Sequence, residues 1–313
     1  MRAWQMLEVG RPLEIVELDD PEPGPGQVVV DVKAAGLCHS DVDFVDGQLA
    51  WMLGHMPIVL GHEVAGVVSA VGEGVEEFVI GDRVGIAGAG LDAPGIVADG
   101  GFGEKCIGKV EQLVRVPAGV SFVQAASGTD AGMTSYHAVK VVGGVQDNTR
   151  VGIIGLGGLG LTGAKIAAGL GAQVYAAEID ESVHAIAKEC GVIEVVTDAA
   201  KLAQFDLDVI VDFAGVGETT AAAVEAINPS GRIVQVGMAR EAMTLPTQML
   251  VTKQVTLVGS LGGKKEDAVD VYELMSRRAL EILTTQISFD QIDAGIEQLR
   301  SGRVRGRLVA VFE

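Results

Sequence analysis

Cys38, in "GLCHSDVDF", and His62, in "VLGHEVAG", are two side chains with the chemistry of transition-metal ligands. Each lies at a turn beside an apolar, strand-like run. Taken singly, each has a plainer reading: Cys38 as a small buried hydrophobe, His62 as a core histidine with its hydrogen bonds satisfied. Asp130 poses a different question. It stands in "GTDAGMTSYHAV", among small and apolar residues with no basic neighbour. An ionised carboxylate placed there needs a partner. Further along, Gly155, Gly157 and Gly160 satisfy G-x-G-x-x-G directly after the strand-like "VGII" and open a helical stretch. The first glycine allows a tight turn and the second lets the backbone approach a pyrophosphate. The third lets helix and strand pack closely, with the helix N-terminus facing the anion. Gly158 and Leu159 lie inside this turn and join the candidate cofactor contacts.

An acid closes the next strand. Glu178 follows Gly160 by 18 residues, the spacing of a carboxylate that accepts both adenosine-ribose hydroxyls. It would repel a 2′-phosphate, so the expected cofactor is NAD, not NADP. Asp180 is the competitor for that role. Gly215 and Val236, at the ends of later strands, complete the cofactor candidates.

These residues need elements to hold them. The first 125 or so residues are rich in β-branched residues and glycine, with "QVVVDVKAAG", "EVAGVVSAVGEGV" and "DRVGIAG" separated by Pro and Gly punctuation. They read as an irregular, mostly antiparallel β domain. From about 132 to 264 strands and helices alternate. Strands are expected at 151–154, 173–177, 193–196, 209–213, 232–236 and 255–259, with a helix over 158–170 capped by Gly171. Six such strands match a doubly wound dinucleotide-binding sheet. From 265 the chain reads as a helix over "KEDAVDVYELMSRRALEIL", a short helix at 290–300 and a strand in "RLVAVF". That strand is expected to return to the first domain. The expected division is therefore 1–131 with 265–313, and 132–264.

Bulk composition narrows the partners. A net charge of −19 argues against nucleic acid or an anionic membrane surface, since both reward Lys and Arg. Three widely spaced cysteines, Cys38, Cys106 and Cys190, make no disulfide framework and suit a reducing compartment. The start lacks the apolar stretch of a signal peptide, so a cytoplasmic enzyme is the expectation.

Taken together, "PEPGPGQVVVDVKAAGLCHSD", "GHEVAGVVSAVGEGVEEFVIGDRV", "GMTSYHAV", the glycine fingerprint and "GRVRGRLV" resemble the zinc-dependent alcohol dehydrogenases of the medium-chain dehydrogenase/reductase superfamily. The resemblance implies an α/β protein, with a Rossmann doubly wound parallel sheet of six strands and a mostly antiparallel β (GroES-like) catalytic domain. It implies one catalytic zinc held by Cys38, His62 and Asp130, with Glu63 beside the metal. Many family members carry cysteine at the third position; here it is aspartate. By the same resemblance Ser40 relays the alcohol proton, Asp41 orients the His62 ring, and His39 and Arg307 lie near the cofactor pyrophosphate. The implied reaction is reversible oxidation of an alcohol with NAD by a homo-oligomer, a dimer or tetramer. Leu49, Trp51, Met52, Gly88, Met238 and Leu261 are expected to line an apolar cleft, suiting a hydrophobic primary or secondary alcohol better than a polyol.

The chain departs from the family pattern twice. The interval "GIAGAGLDAPGIVADG" contains no cysteine, so the four-cysteine lobe that holds a second zinc in many members is expected to be absent. Asp43 stands where some members end the proton relay with histidine, leaving its part in a relay open. Cys106 and Cys190 read as filler, and His55, His137 and His184 carry no expectation. The rival readings are a zinc-free quinone or enone reductase of the same superfamily, a polyol dehydrogenase, and a non-catalytic relative that still binds dinucleotide.

Overall fold

A computed structural model describes residues 1–88 and 92–313 of the chain. The chain divides into two compact units, Met1–Met133 with Lys264–Glu313, and Thr134–Gly263.

The first unit opens with β1 (Arg2–Met6), β2 (Glu14–Glu17), β3 (Gln27–Leu37), β4 (Ile58–Val59), β5 (Glu63–Val71), β6 (Arg83–Ile86), β7 (Lys105–Lys109) and β8 (Leu113–Arg115). β3 is the backbone of this unit. Its run Val28, Val29, Val30 and Val32 is buried on both faces, as a β-branched stretch in a central strand should be. It pairs antiparallel with β5 and with β7, and the sheet continues from β5 through β6 to β8. A second, small sheet joins β1 to β2 and β4. Where β3 ends, α1 (His39–Val45) begins. Cys38 keeps an extended backbone there, and Asp41 turns back to accept its N–H at 2.8 Å, closing the first turn. α2 (Phe122–Ser127) is capped by Ser121 and runs into a π-helical stretch, Gly128–Gly132.

The helical run goes on through α3 (Met133–Tyr136) to Val142. The second unit then alternates β9 (Arg150–Ile154), α4 (Gly158–Gly169), β10 (Gln173–Ala177), α5 (His184–Glu189), β11 (Val192–Val196), β12 (Leu207–Asp212), α6 (Glu218–Ala226), β13 (Ile227–Gln235), α7 (Thr247–Thr252) and β14 (Thr256–Gly259). All six strands are parallel, in the order β11-β10-β9-β12-β13-β14. The order reverses between β9 and β12, which is the doubly wound arrangement of two mononucleotide-binding halves. Each strand read from the sequence is present within two residues at most ends; β13 begins five residues earlier than expected, at Ile227. Gly171, at φ +85°, follows the last helical residues of α4 and supplies the left-handed turn that ends it.

The chain then returns to the first unit through α8 (Lys265–Ser276), β15 (Thr284–Ser288), α9 (Ile292–Arg300) and β16 (Arg307–Val311). β16 lies antiparallel to β3 and parallel to β15. Two sequence expectations need correction here. The helix expected over 265–283 stops at Ser276, because Arg278 takes a left-handed φ of 59°. The chain turns there so that Leu280 and Ile282 are buried. β15 was not expected at all: "TTQIS" is an edge strand with little apolar content. Tyr272 of α8 is fully buried and donates to the Ala125 carbonyl at 2.9 Å, tying α8 to α2. Among the described residues no helix is long and apolar enough to cross a membrane.

Candidate metal centre and dinucleotide site

Four potential ligand atoms meet in the first unit. One atom each of Cys38, His62, Glu63 and Asp130 lies within 4.8 Å of every other. Three different devices deliver them. Cys38 comes from the junction of β3 and α1. His62 and Glu63 come from the start of β5, after Gly61 at φ +94°, where a Cβ would approach the Phe102 ring to 2.5 Å. Asp130 comes from the π-helical stretch, a distortion that re-aims side chains and recurs at functional sites.

Asp41 organises the pocket from beneath. It is completely buried. One oxygen accepts the Cys38 N–H, and the other lies 3.4 Å from His62 Nδ1. That contact turns Nε2 towards the cluster, 3.8 Å from Asp130 Oδ2. Phe44 meets the imidazole edge-on. Ser40 Oγ stands 3.6 Å from Cys38 Sγ. His39 is exposed and Asp43 half-buried; burial pushes the Asp43 carboxyl up, against the opposing pull of His39 and with the help of Asp46 and Asp41.

Arg307, at the start of β16, is buried inside this cluster. Its Nη2 lies 2.8 Å from Glu63 Oε1 and 3.1 Å from Asp130 Oδ2. The resemblance directs this arginine towards cofactor phosphates, and nothing in the sequence pairs it with these carboxylates. Electrostatics follow from the crowding. Burial pushes the Cys38 thiol up and the Asp130 charge adds to that, but the Arg307 charge and His62 outweigh both, leaving it below the usual thiol range. Burial works against a charged His62, yet Asp41 and Cys38 hold its pKa well above the ordinary value. Glu63 is driven well up by burial, Arg307 opposing and the Asp130 and Cys38 charges reinforcing.

The residues fit a zinc ion on three grounds. A thiolate, an imidazole and carboxylates are its preferred donors, and bonds of about 2.0–2.3 Å set tetrahedral ligand atoms roughly 3.3–3.8 Å apart, to which the 3.8 Å between His62 Nε2 and Asp130 Oδ2 comes close. Cys38, Glu63 and Asp130 crowd around Arg307, a gathering of acidic groups that a dication relieves. Finally, Asp41 Oδ1, His62 Nδ1, both Glu63 oxygens and Arg307 Nε are buried side-chain atoms without a hydrogen-bond partner of good geometry.

The interval between β6 and β7 is short, and its residues 89–91 lie outside the described ones. Beyond them Gly95 packs closely on the loop before β5, a Cβ there falling 2.7 Å from the Gly61 backbone. Of the residues expected along a cleft, Leu49 and Met52 pack against the first unit's core. Trp51 is 75% exposed, and Met238 and Leu261 are about half exposed.

In the second unit the fingerprint turn has the shape its glycines demand. Gly155 sits at φ +81°, and a Cβ there would press Ala214 at 3.1 Å. A Cβ on Gly160 would come within 1.8 Å of the Gly155 carbonyl, so only glycine lets α4 approach β9. A Cβ on Gly157 meets nothing within 4 Å; it precedes Gly158 and Leu159 at the N-terminus of α4, whose orphan N–H groups favour an anion. Glu178 follows β10, and its oxygens accept the N–H of Leu156 at 2.7 Å and of Asp180 at 2.8 Å. Asp180 instead caps a short turn by accepting the Ser182 N–H. Gly215 packs on Gly237, and the Val236 N–H donates to the Asp212 carbonyl.

Known proteins share this plan. Residues 24–118 match the family described as the alcohol dehydrogenase GroES-like domain, and residues 158–277 the family described as zinc-binding dehydrogenase. An alcohol dehydrogenase of Geobacillus stearothermophilus is 28% identical, over 99% of each chain. Alcohol dehydrogenase 1 of Emericella nidulans is 29% identical, over 99% of this chain and 97% of its own. Among solved structures, the alcohol dehydrogenase of Aeropyrum pernix superposes with a TM-score of 0.93 at 28% identity, covering 100% of both chains. Acetophenone reductase of Geotrichum candidum, solved with NAD, superposes with a TM-score of 0.91 at 27% identity, over 99% of this chain and 97% of its own. The chain belongs to the zinc-type alcohol dehydrogenases of the medium-chain dehydrogenase/reductase superfamily.

Proposed function

We propose that the protein is a zinc- and NAD-dependent oxidoreductase that interconverts alcohols with ketones or aldehydes. The observation that carries this reading is the gathering of Cys38, His62, Glu63 and Asp130 within 4.8 Å, in a chain that also bears the complete glycine fingerprint. We assign residues 1–131 with 265–313 to catalysis and 132–264 to the dinucleotide.

Cys38, His62 and Asp130 would hold the zinc, and Glu63 lies close enough to exchange into the ligand set. Zinc supplies Lewis acidity that lowers the pKa of a substrate hydroxyl, and NAD accepts the hydride. Asp41 keeps the His62 ring in one orientation with Nε2 facing the cluster. Ser40, beside Cys38, would accept a hydrogen bond from the substrate hydroxyl and relay its proton, with Asp43 as a candidate acceptor nearer solvent. Glu178 would take the adenosine-ribose hydroxyls in place of the N–H groups of Leu156 and Asp180. The fingerprint residues Gly155, Gly157, Gly158, Leu159 and Gly160 would cradle the pyrophosphate, with His39 and Arg307 as supporting cations. The exposed Trp51, with Leu49 and Met52 beside it, favours an apolar primary or secondary alcohol. We further propose a homo-oligomer, dimer or tetramer, working in the cytoplasm.

The test is a panel of primary, secondary and polyol substrates followed by NADH absorbance, with zinc counted on the same sample. Turnover of apolar alcohols with about one zinc per chain is expected. Two zinc ions per chain, or full activity without zinc, would overturn the reading.

A further inference from the structure

Asp130 is delivered by the π-helical stretch Gly128–Gly132, and α8 lies against both ends of that stretch. Met133, just past it, donates its N–H to the Gly128 carbonyl five residues back, where an α-helix reaches back four. Gly128 opens the stretch, and a Cβ there would stand 2.7 Å from Tyr272 Cε1. Gly132 closes it, and a Cβ there would stand 2.8 Å from Val271 Cγ1. Glycine at both ends therefore lets two adjacent side chains of α8 come this near. Asp130 is two residues from each glycine, about half a helical turn round. Its carboxylate accordingly faces away from α8, towards Arg307 and His62.

Tyr272 does more than fill space. It is fully buried, and burial pushes its phenol far above the usual range, so it stays a hydrogen-bond donor. Its hydroxyl donates to the Ala125 carbonyl at 2.9 Å, and the same carbonyl takes the N–H of Gly128. The next carbonyl, that of Ala126, takes the Thr129 hydroxyl at 2.8 Å. Two side-chain hydroxyls thus sit on successive carbonyls just ahead of the π-helical turns. Hydroxyls placed on helix carbonyls in this way compete with the backbone and bend helices. The phenol also has no room to retreat. A Cβ on Gly85 of β6 would fall 1.9 Å from the Tyr272 hydroxyl and 2.8 Å from Thr129 Cγ2. α2, the π-helical stretch and β6 close on one side chain, to which the reaction itself gives no part.

We propose that Tyr272 is a positioning residue for the metal centre: its hydroxyl on Ala125 and its ring on Gly128 hold the π-helical turn that aims Asp130 at the zinc. This rests on the metal reading above.

The experiment compares Tyr272→Phe with wild type in three measurements. These are zinc affinity by competition with a chromogenic chelator, the visible spectrum of the cobalt-loaded protein, and the melting temperature of the metal-free form. The substitution keeps the ring and loses one hydrogen bond, worth about three- to tenfold in an equilibrium, and zinc affinity should fall by that factor. The ligand-field bands of bound cobalt, which report the geometry of its ligands, should shift, while the charge-transfer band from the Cys38 thiolate persists. Val28→Ala, at the opposite end of β3 from Cys38, is the control for stability alone. It should lower the melting temperature and leave zinc affinity and the cobalt bands as in wild type. Unchanged zinc affinity or unshifted cobalt bands in Tyr272→Phe would overturn the proposal. So would an equal loss of zinc affinity in Val28→Ala, because the effect would then follow stability and not the aim of Asp130. Wild-type protein that takes up neither zinc nor cobalt would instead remove the metal reading itself, so the two failures are distinguishable.

Discussion

At the residue scale, the candidate metal centre depends as much on Asp41 as on the proposed ligands. One buried carboxylate serves the Cys38 backbone and the His62 ring together, so two proposed ligands share a support. Asp41→Asn keeps the size but turns one oxygen into a donor and removes the charge facing the imidazole. Support of this kind is worth about 10- to 100-fold in metal affinity, so zinc affinity, measured by competition with a chromogenic chelator, is expected to fall within that range. An unchanged affinity would make Asp41 a capping residue only. Asp130→Asn goes further, since it removes a candidate ligand. Zinc content and turnover are expected to collapse while the circular dichroism spectrum and NAD binding persist. Normal zinc with a normal rate in that variant would exclude Asp130 from the ligand set. How far these roles could be read in advance differs from residue to residue. Cys38 and His62 carry metal-ligand chemistry in their side chains, but each also has an ordinary structural reading, and only their joint pattern breaks the tie. Asp130 advertised a missing partner without naming it. Arg307 gave no local signal, because it meets Asp130 across 177 positions of sequence.

At the element scale, the strands of the second unit were legible because each is a short, largely apolar run with a glycine within a few residues of at least one end, and several of these glycines mark turns at positive φ. The fingerprint is the clearest case: the 1.8 Å approach at Gly160 is a steric demand written directly into the residue type. The misses have physical causes as well. β15 contains two threonines, a glutamine and a serine and lies at a sheet edge, so neither burial nor alternation marks it. The overextended helix after Lys265 reflects continued apolar spacing past Ser276; the break comes from a left-handed arginine, which sequence rarely signals. The π-helical stretch holding Asp130 was equally invisible, since no residue type encodes it. For the second strand of this unit, the acid at its end sets a prediction. Glu178 faces the fingerprint turn through the Leu156 N–H, where a 2′-phosphate would meet its charge. Glu178→Ala is expected to lower the NAD-over-NADP preference in kcat/KM by about tenfold or more, the effect of removing roughly 1.4 kcal/mol of discrimination. An unaltered preference would move the ribose-recognising role to another residue.

At the scale of the whole molecule, the first unit is closed by a segment that arrives only after the second has been completed. β16 lies against β3, the strand that ends at Cys38, and Arg307 opens β16 inside the metal cluster. Closing the sheet and neutralising the ligand pocket are therefore one event. Without metal, Arg307 faces Glu63, Asp130 and Cys38 as a cation alongside His62, and its own charge is held firmly in place by them despite burial. Removing one partner of such a buried pair typically costs about 3–5 kcal/mol, because the remaining charges are left uncompensated. For a unit of this size that corresponds to a fall on the order of 6–20 °C in melting temperature. Zinc brings two positive charges to the same place, so it should offset much of the loss. The expectation for Arg307→Gln is thus a large drop in the melting temperature of chelator-stripped protein and a smaller drop with zinc restored. The stabilisation gained on adding zinc should accordingly be greater than in wild type. Differential scanning calorimetry on the stripped and zinc-loaded forms of both proteins measures this directly. An equal drop in both forms would mean that Arg307 holds β16 in the sheet without compensating the ligand charges.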